Sequence, residues 1–379
     1  MEVFITDVSA FLPNAPVSND GIEAVLGALS KSDAKTRRIV LNSNRIVRRH
    51  YAVDPETAEM THTNAVMTAE AVRRLRLPAG EEIECLCCGT STPDLLFPGH
   101  ALMVLGELGL GECDAVSMAG ICIAGMNSLK HAFLNVAAGL HPQAVATGSE
   151  LASSFTRSRF LKTPICANDP DAVAEKPIRA FDADFLRWML SDGAGAVRLG
   201  PKPNEGSISL KIDWIDHVSF AGEMETCMYG GGVKRADGRV TGWREVEGIA
   251  EAERKHLMAI RQDIKLLDPA IVSTMGRALE KMVKKYDLKP GDVDWFLPHY
   301  SSDFFRPRFF EEMRRIGFEV PYERWFTNLA EKGNTGSAAI YIILEELFHS
   351  GRLKPGEKLL CFIPESGRFS HCFMGLTVT

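Results

Sequence analysis

A chain of 379 residues, 45% of them hydrophobic, is long enough for one large core or two fused ones of roughly 150 to 200 residues each. Its formal charge of −6, with no long run of Lys or Arg, excludes the electrostatic footprint of a nucleic-acid or anionic-membrane binder. No apolar run approaches the ~20 residues of a membrane span. The opening residues lack the charged leader and apolar stretch of a secretory signal. Nine cysteines, several inside apolar strings, read as reduced thiols of a cytoplasmic protein.

In chain order, the pattern at 61–75 predicts a helix, 83–89 and 114–118 predict strands, and 122–138 predicts a helix buried on nearly every face and closed by Gly139. A strand at 143–148 follows. Residues 152–184 mix Ser, Thr, Arg, Pro and Asp without a period, which reads as a long insertion. Beyond it the sequence predicts strands at 190–199 and 208–215, one or two long helices over 246–286, a strand at 293–297, a helix at 338–348 and a strand pair over 358–379. Strands alternating with helices argue α/β layering. Each half offers strands, a buried helix and further strands in similar order, which suggests a duplicated architecture divided at about 1–200 and 201–379.

Three residues stand where chemistry is usually placed. Cys122, in SMAGICIAGMN (117–127), follows a strand at the first turn of the buried helix, where unpaired N–H groups and the helix dipole favour a thiolate. His299, in PHY (298–300), emerges at a strand end. Asn334, in GNTGS (333–337), sits in a small-residue turn that opens a helix. Taken singly, each reads equally well as structural: a buried core thiol, a satisfied polar residue and a helix cap.

Taken together, Cys122, Pro298-His299 and Gly333-Asn334-Thr335 resemble, in order and spacing, the β-ketoacyl-acyl-carrier-protein synthase III family. TPD at 92–94 with FP at 97–98 and SDGAGA at 191–196 resemble further motifs of that family, and the likeness spans essentially the whole chain. It implies a five-layered αβαβα thiolase fold of two pseudo-symmetric halves, a homodimer and a Cys-His-Asn active site. Cys122 would take an acyl group from acyl-coenzyme A or an acyl carrier protein. His299 and Asn334 would bind the thioester oxygen of a second substrate whose decarboxylation creates an enolate. No metal and no redox cofactor are implied. The resemblance also assigns an oxyanion hole to the N–H of Cys122 with Ser366 or Gly367, places Phe97 in a partner subunit's acyl pocket, and puts Arg45, Arg48 and Arg49 at the substrate entrance.

The departures point to a specialised relative: PHQ becomes PHY, the glycine-rich C-terminal loop becomes ESGRFS (365–370), and the insertion is longer than in the housekeeping enzyme. Competing readings are a degradative thiolase with Cys361 or Cys372 as its base, an acyltransferase to oxygen or nitrogen, a non-decarboxylative condensing enzyme, and a non-catalytic partner subunit. Gly230 to Lys234 lacks nucleotide-loop spacing. Cys85-Leu-Cys-Cys88 lacks the second pair of a zinc-finger site.

Overall fold

The structure, a computed structural model, describes residues 1–28, 34–77, 82–161, 185–255 and 257–379. Runs of Val, Ile, Leu, Phe and Cys that lie buried on both faces read as near-continuous apolar strings rather than alternating ones, and they form the central strands. Nine strands make the main sheet: β1 Phe4–Phe11, β2 Cys85–Thr90, β3 Asp114–Ala119, β4 Ala144–Glu150, β5 Gly193–Gly200, β6 Leu210–Ser219, β7 Trp295–Pro298, β8 Lys358–Glu365 and β9 Ser370–Val378. Their order is β7-β8-β9-β6-β1-β5-β4-β2-β3.

The order repeats about a seam. From β1 outward, β5 and β4 pair antiparallel and β2 joins in parallel. From β6 outward, β9 and β8 pair antiparallel and β7 joins in parallel. The two series meet where β1 and β6 pair at Phe4 with Lys211 and Ile5 with Leu210.

Six helices cover and separate the two series: α1 Asn64–Arg73, α2 His100–Leu108, α3 Ala124–Ala138, α4 Ile264–Tyr286, α5 Arg306–Arg315 and α6 Ala339–Phe348. Helices α3 and α6 form the middle layer. Their Met126, Leu129, Ile340 and Leu344 share one core with Ile5 and Val197 on one side and with Cys361 and Met374 on the other. Helices α1 and α2 cover one outer face and α4 and α5 the other, each over its own apolar cluster. The result is the expected five layers, helix–sheet–helix–sheet–helix, of the thiolase-like fold.

The middle helices approach closely because Gly125 has no side chain: a Cβ there would collide with the Ser337 carbonyl. The Tyr341 hydroxyl donates to the Gly125 carbonyl at 2.7 Å. Helix α3 ends as its sequence predicts, with Gly139 in the left-handed region at φ 74°. Residues 246–286 divide into a short helix, Ile249–Arg254, a two-residue strand, Arg261–Gln262, and α4, whose start is capped by Asp263 accepting from the Leu266 N–H at 3.1 Å. Of the insertion at 152–184, residues 162–184 lie outside the described residues.

Candidate active site

The carboxyl ends of the parallel strands on the two sides of the molecule converge on one cavity of about 40 Å³. Cys122, Asn334 and Ser366 all line it, together with Ser91, Glu150 and Gly336. Its apolar wall includes Phe155, Leu186, Leu190, Met228 and Ile260. The lining thus sets a small group of polar side chains against an apolar wall.

Cys122 is held in the turn between β3 and α3. The Ala124 N–H donates to the Ile121 carbonyl at 2.9 Å, and the Ser337 hydroxyl donates to that same carbonyl at 2.9 Å, which ties the cysteine turn to the start of α6. The helix proper begins at Ala124, so Cys122 stands just ahead of the first turn. Here the expectation of a thiolate is corrected. Burial, with the Glu150 and Glu365 carboxylates nearby, pushes the thiol up, and only its own backbone N–H pulls it the other way. The free site holds a thiol because lost hydration, and after it the two carboxylates, outweigh the helix end.

Asn334 is buried, and its carboxamide oxygen accepts the Gly336 N–H at 3.0 Å. That bond orients the amide and leaves its NH₂ as the donor available to the cavity. Its backbone is fixed on both sides, by its own N–H to Met189 at 2.9 Å and by the Ser191 N–H to its carbonyl at 2.9 Å. His299 caps β7, its N–H donating to the Phe362 carbonyl at 2.8 Å. Burial alone pushes its imidazole down to about 4, so the ring is neutral near pH 7. Its ring is not part of the cavity wall. Ser301, two residues on, is.

Two expectations are corrected. Gly367 does not offer a free oxyanion donor, because its N–H is given to the Glu365 carboxylate, whose other oxygen accepts the Ser370 N–H at 3.2 Å. Ser366 lines the cavity and remains the loop's candidate. Its hydroxyl accepts from Gln262 at 3.1 Å and its carbonyl from the Met228 N–H at 3.1 Å. Arg49 is fully buried, bonded to the Trp188 carbonyl at 3.0 and 2.5 Å and to Asn19 at 2.7 Å. It is a structural brace and cannot meet substrate.

Arg45 and Arg48 lie on the surface, paired to Asp303 at 3.3 Å and to Glu331 at 3.5 Å. Those acids belong to the segments that carry His299 and Asn334, so both arginines stay compatible with an entrance. Phe97 is 78% exposed and does not line its own chain's cavity.

One residue escaped sequence reasoning. Glu150 ends β4 fully buried, accepting hydroxyls from Ser91 at 2.6 Å and Thr92 at 2.8 Å on one oxygen, and the Ser337 N–H and hydroxyl at 3.3 Å on the other. It ties the loop after β2 to the turn after Asn334, beneath Cys122. A lone Glu at a strand end reads as solvated, and only the hydroxyl-rich Ser91-Thr92 hinted at a buried acceptor.

Residues 283–363 match the model for the C-terminal part of 3-oxoacyl-[acyl-carrier-protein] synthase III. The chain is 25% identical to a β-ketoacyl-[acyl-carrier-protein] synthase III of Hyphomonas neptunium, with 94% of this chain and 93% of the relative covered. Against synthase III 2 of Deinococcus radiodurans the figures are 25%, 94% and 89%. Among solved structures, a tetronic acid condensing enzyme matches with a TM-score of 0.75 at 20% identity over 99% of both chains. OleA of Xanthomonas campestris, solved with lauric acid and lauroyl-CoA, matches with a TM-score of 0.73 at 17% identity over 100% of this chain and 99% of that one. The structural likenesses show the shared fold.

Proposed function

We propose, for a chain similar over most of its length to β-ketoacyl-[acyl-carrier-protein] synthases III, an acyltransferase that loads an acyl group onto Cys122 and then forms a carbon–carbon bond to give a β-ketoacyl thioester. The observation that carries this reading is the meeting of Cys122 and the Asn334 amide on one small, apolar-walled cavity, with neutral His299 at the adjoining strand end. The donor is an acyl-coenzyme A or an acyl carrier protein, and the second substrate a malonyl or β-ketoacyl thioester.

In the first half-reaction the Cys122 sulfur attacks the thioester carbonyl, its proton leaves with the departing thiol, and the oxyanion is met by the N–H groups of Cys122 and Ser366. In the second, carbon dioxide leaves the bound malonyl group and the enolate oxygen is met by the His299 imidazole N–H and the Asn334 NH₂. The enolate carbon then attacks the acyl-cysteine and expels the thiolate. Uncharged donors suit this step, since they stabilise a forming oxyanion without trapping the ground-state carbonyl.

The working unit is a homodimer. Leu95, Leu96 and Leu102 are exposed at 47%, 68% and 51% beside Phe97, next to β3, the last strand of the sheet. An uncovered apolar rim at a sheet edge suits a second copy. Light scattering at low micromolar concentration is expected to give a dimer, and an active monomer would remove Phe97 from the site. Turnover with radiolabelled malonyl thioester tests the chemistry: carbon dioxide release in step with product is expected, whereas product without carbon dioxide would assign a non-decarboxylative condensation.

A further inference from the structure

The opposite end of the same parallel strands, remote from the cavity, holds a second cluster of reactive side chains. Cys85 opens β2, Asp114 opens β3, and the two are partners in the parallel register. His141 lies in the turn between α3 and β4. A ligand atom from each, the Cys85 Sγ, an Asp114 carboxylate oxygen and an imidazole nitrogen, lies within 4.8 Å of the other two.

Further contacts prepare these atoms for a cation. The Asp114 carboxylate is 3.2 Å from His141 Nε2, and Glu84 lies 4.0 Å from the other ring nitrogen. The two ring nitrogens thus face one carboxylate each, Asp114 within hydrogen-bond distance and Glu84 just beyond it. Cys87 lies with its sulfur 3.7 Å from that of Cys85, within reach of a hydrogen bond between the two thiols.

From this juxtaposition we propose that Cys85, Asp114 and His141 bind a zinc ion. Thiolate with imidazole selects zinc over magnesium or calcium, which prefer oxygen alone. One thiolate and one carboxylate balance the charge of the ion. Ligand atoms about 2.0 to 2.3 Å from a tetrahedral zinc stand roughly 3.3 to 3.8 Å apart, so closing the present cluster takes side-chain shifts of about 1 Å. Asp114 is exposed and His141 partly so, which gives the ion a path from solvent, while the fully buried Cys85 sulfur forms the floor.

The ion clips together the starts of β2 and β3 and the turn before β4. It sits at the amino ends of strands whose carboxyl ends carry Cys122 and Glu150, so its role is structural and separate from condensation. Sequence spacing hid it, since the three ligands come from three different elements.

Chelator-treated protein dialysed against zinc chloride tests the site by elemental analysis, with cobalt chloride as an optical probe. One zinc per chain, a near-ultraviolet thiolate-to-cobalt band, and a rise in Tm on adding zinc are expected. Cys85→Ser and His141→Ala each weaken binding at least tenfold and abolish the Tm rise. Cys122→Ala retains the full zinc content, which separates this site from the catalytic thiol. Because Cys85→Ser alters a buried position, Asp114→Asn, at an exposed one, serves as the second variant. Wild type with no stoichiometric zinc, or Cys85→Ser and Asp114→Asn binding as tightly as wild type, overturns the proposal.

Discussion

The two halves of the sheet put different chemistry on the same scaffold. The loop after β2 brings Ser91 and the equivalent loop after β7 brings His299. The turn before α3 brings Cys122 and the turn before α6 brings Asn334. Strand β4 ends in Glu150 and β8 in Glu365, both buried carboxylates that bear on the Cys122 thiol. In the proposed cycle one half thus offers the nucleophile and hydroxyls, and the other the neutral donors. Repetition places the positions, and side-chain identity assigns the step each serves.

The largest effect should come from breaking the donor side alone. Asn334→Ala or His299→Ala is expected to lower condensation by ~10² to 10³-fold, or about 3 to 4 kcal/mol, as deletion of one oxyanion-type donor does. Both variants should still accept an acyl group on Cys122, as single-turnover kinetics will show. If His299→Ala cannot be acylated although folded, His299 acts on the thiol and the division of labour between halves fails.

The packing around the junction of the halves comes next. Arg49, from the first half, packs beneath Gly333 of the second: a Cβ at Gly333 would stand 3.0 Å from the Arg49 Cγ. Arg49→Met leaves the Trp188 carbonyl with the Asn44 amide as its donor and the Asn19 carboxamide oxygen without one, and should cost about 1 to 3 kcal/mol in urea denaturation. Arg45→Ala and Arg48→Ala, whose side chains are exposed, should change stability by no more than about 0.5 kcal/mol.

Exchanging one buried acid should sharpen the comparison in opposite senses at two steps. Glu150→Gln removes a negative charge that raises the Cys122 thiol, so alkylation by iodoacetamide at pH 7 should quicken by a few-fold. The same change weakens the brace between Ser91, Thr92 and Ser337, and condensation should fall by roughly tenfold. Alkylation and condensation falling together would mean that Glu150 instead takes the thiol proton.

The smallest effect is in pH. The unfolded His299 binds a proton near 6.5, while the folded one refuses it until about 4. The unfolded state therefore holds more protons in between, and stability falls as pH drops through that window, by about 1.4 kcal/mol per unit at most. His371, held near 3, acts in the same direction, while Asp192, pushed up to about 6, opposes it. His299→Ala should flatten the decline of the urea midpoint between pH 6.5 and 5.

How much of this was legible in the sequence follows from how local each feature is. Cys122, His299 and Asn334 stand in short runs beside strand or helix boundaries, so their placement could be read from neighbours. The alternation of strands and helices could be read from apolar strings such as 83–89 and 122–138, whereas the five layers came only from the family resemblance. Arg49 could not be read, because its burial depends on a carbonyl 139 residues away. The state of the Cys122 thiol was misjudged because the helix start is visible locally and the two carboxylates are not. Gly367 failed for a similar reason: a side chain two residues back reaches its N–H first.

The most direct test of the central claim is intact-protein mass after incubation with a panel of acyl-coenzyme A thioesters of increasing chain length. Wild type is predicted to gain the mass of one acyl group, located on Cys122 by peptide mapping and lost on adding a malonyl thioester, while Cys122→Ala gains none. No adduct with any donor, or the same adduct in Cys122→Ala, would contradict the account.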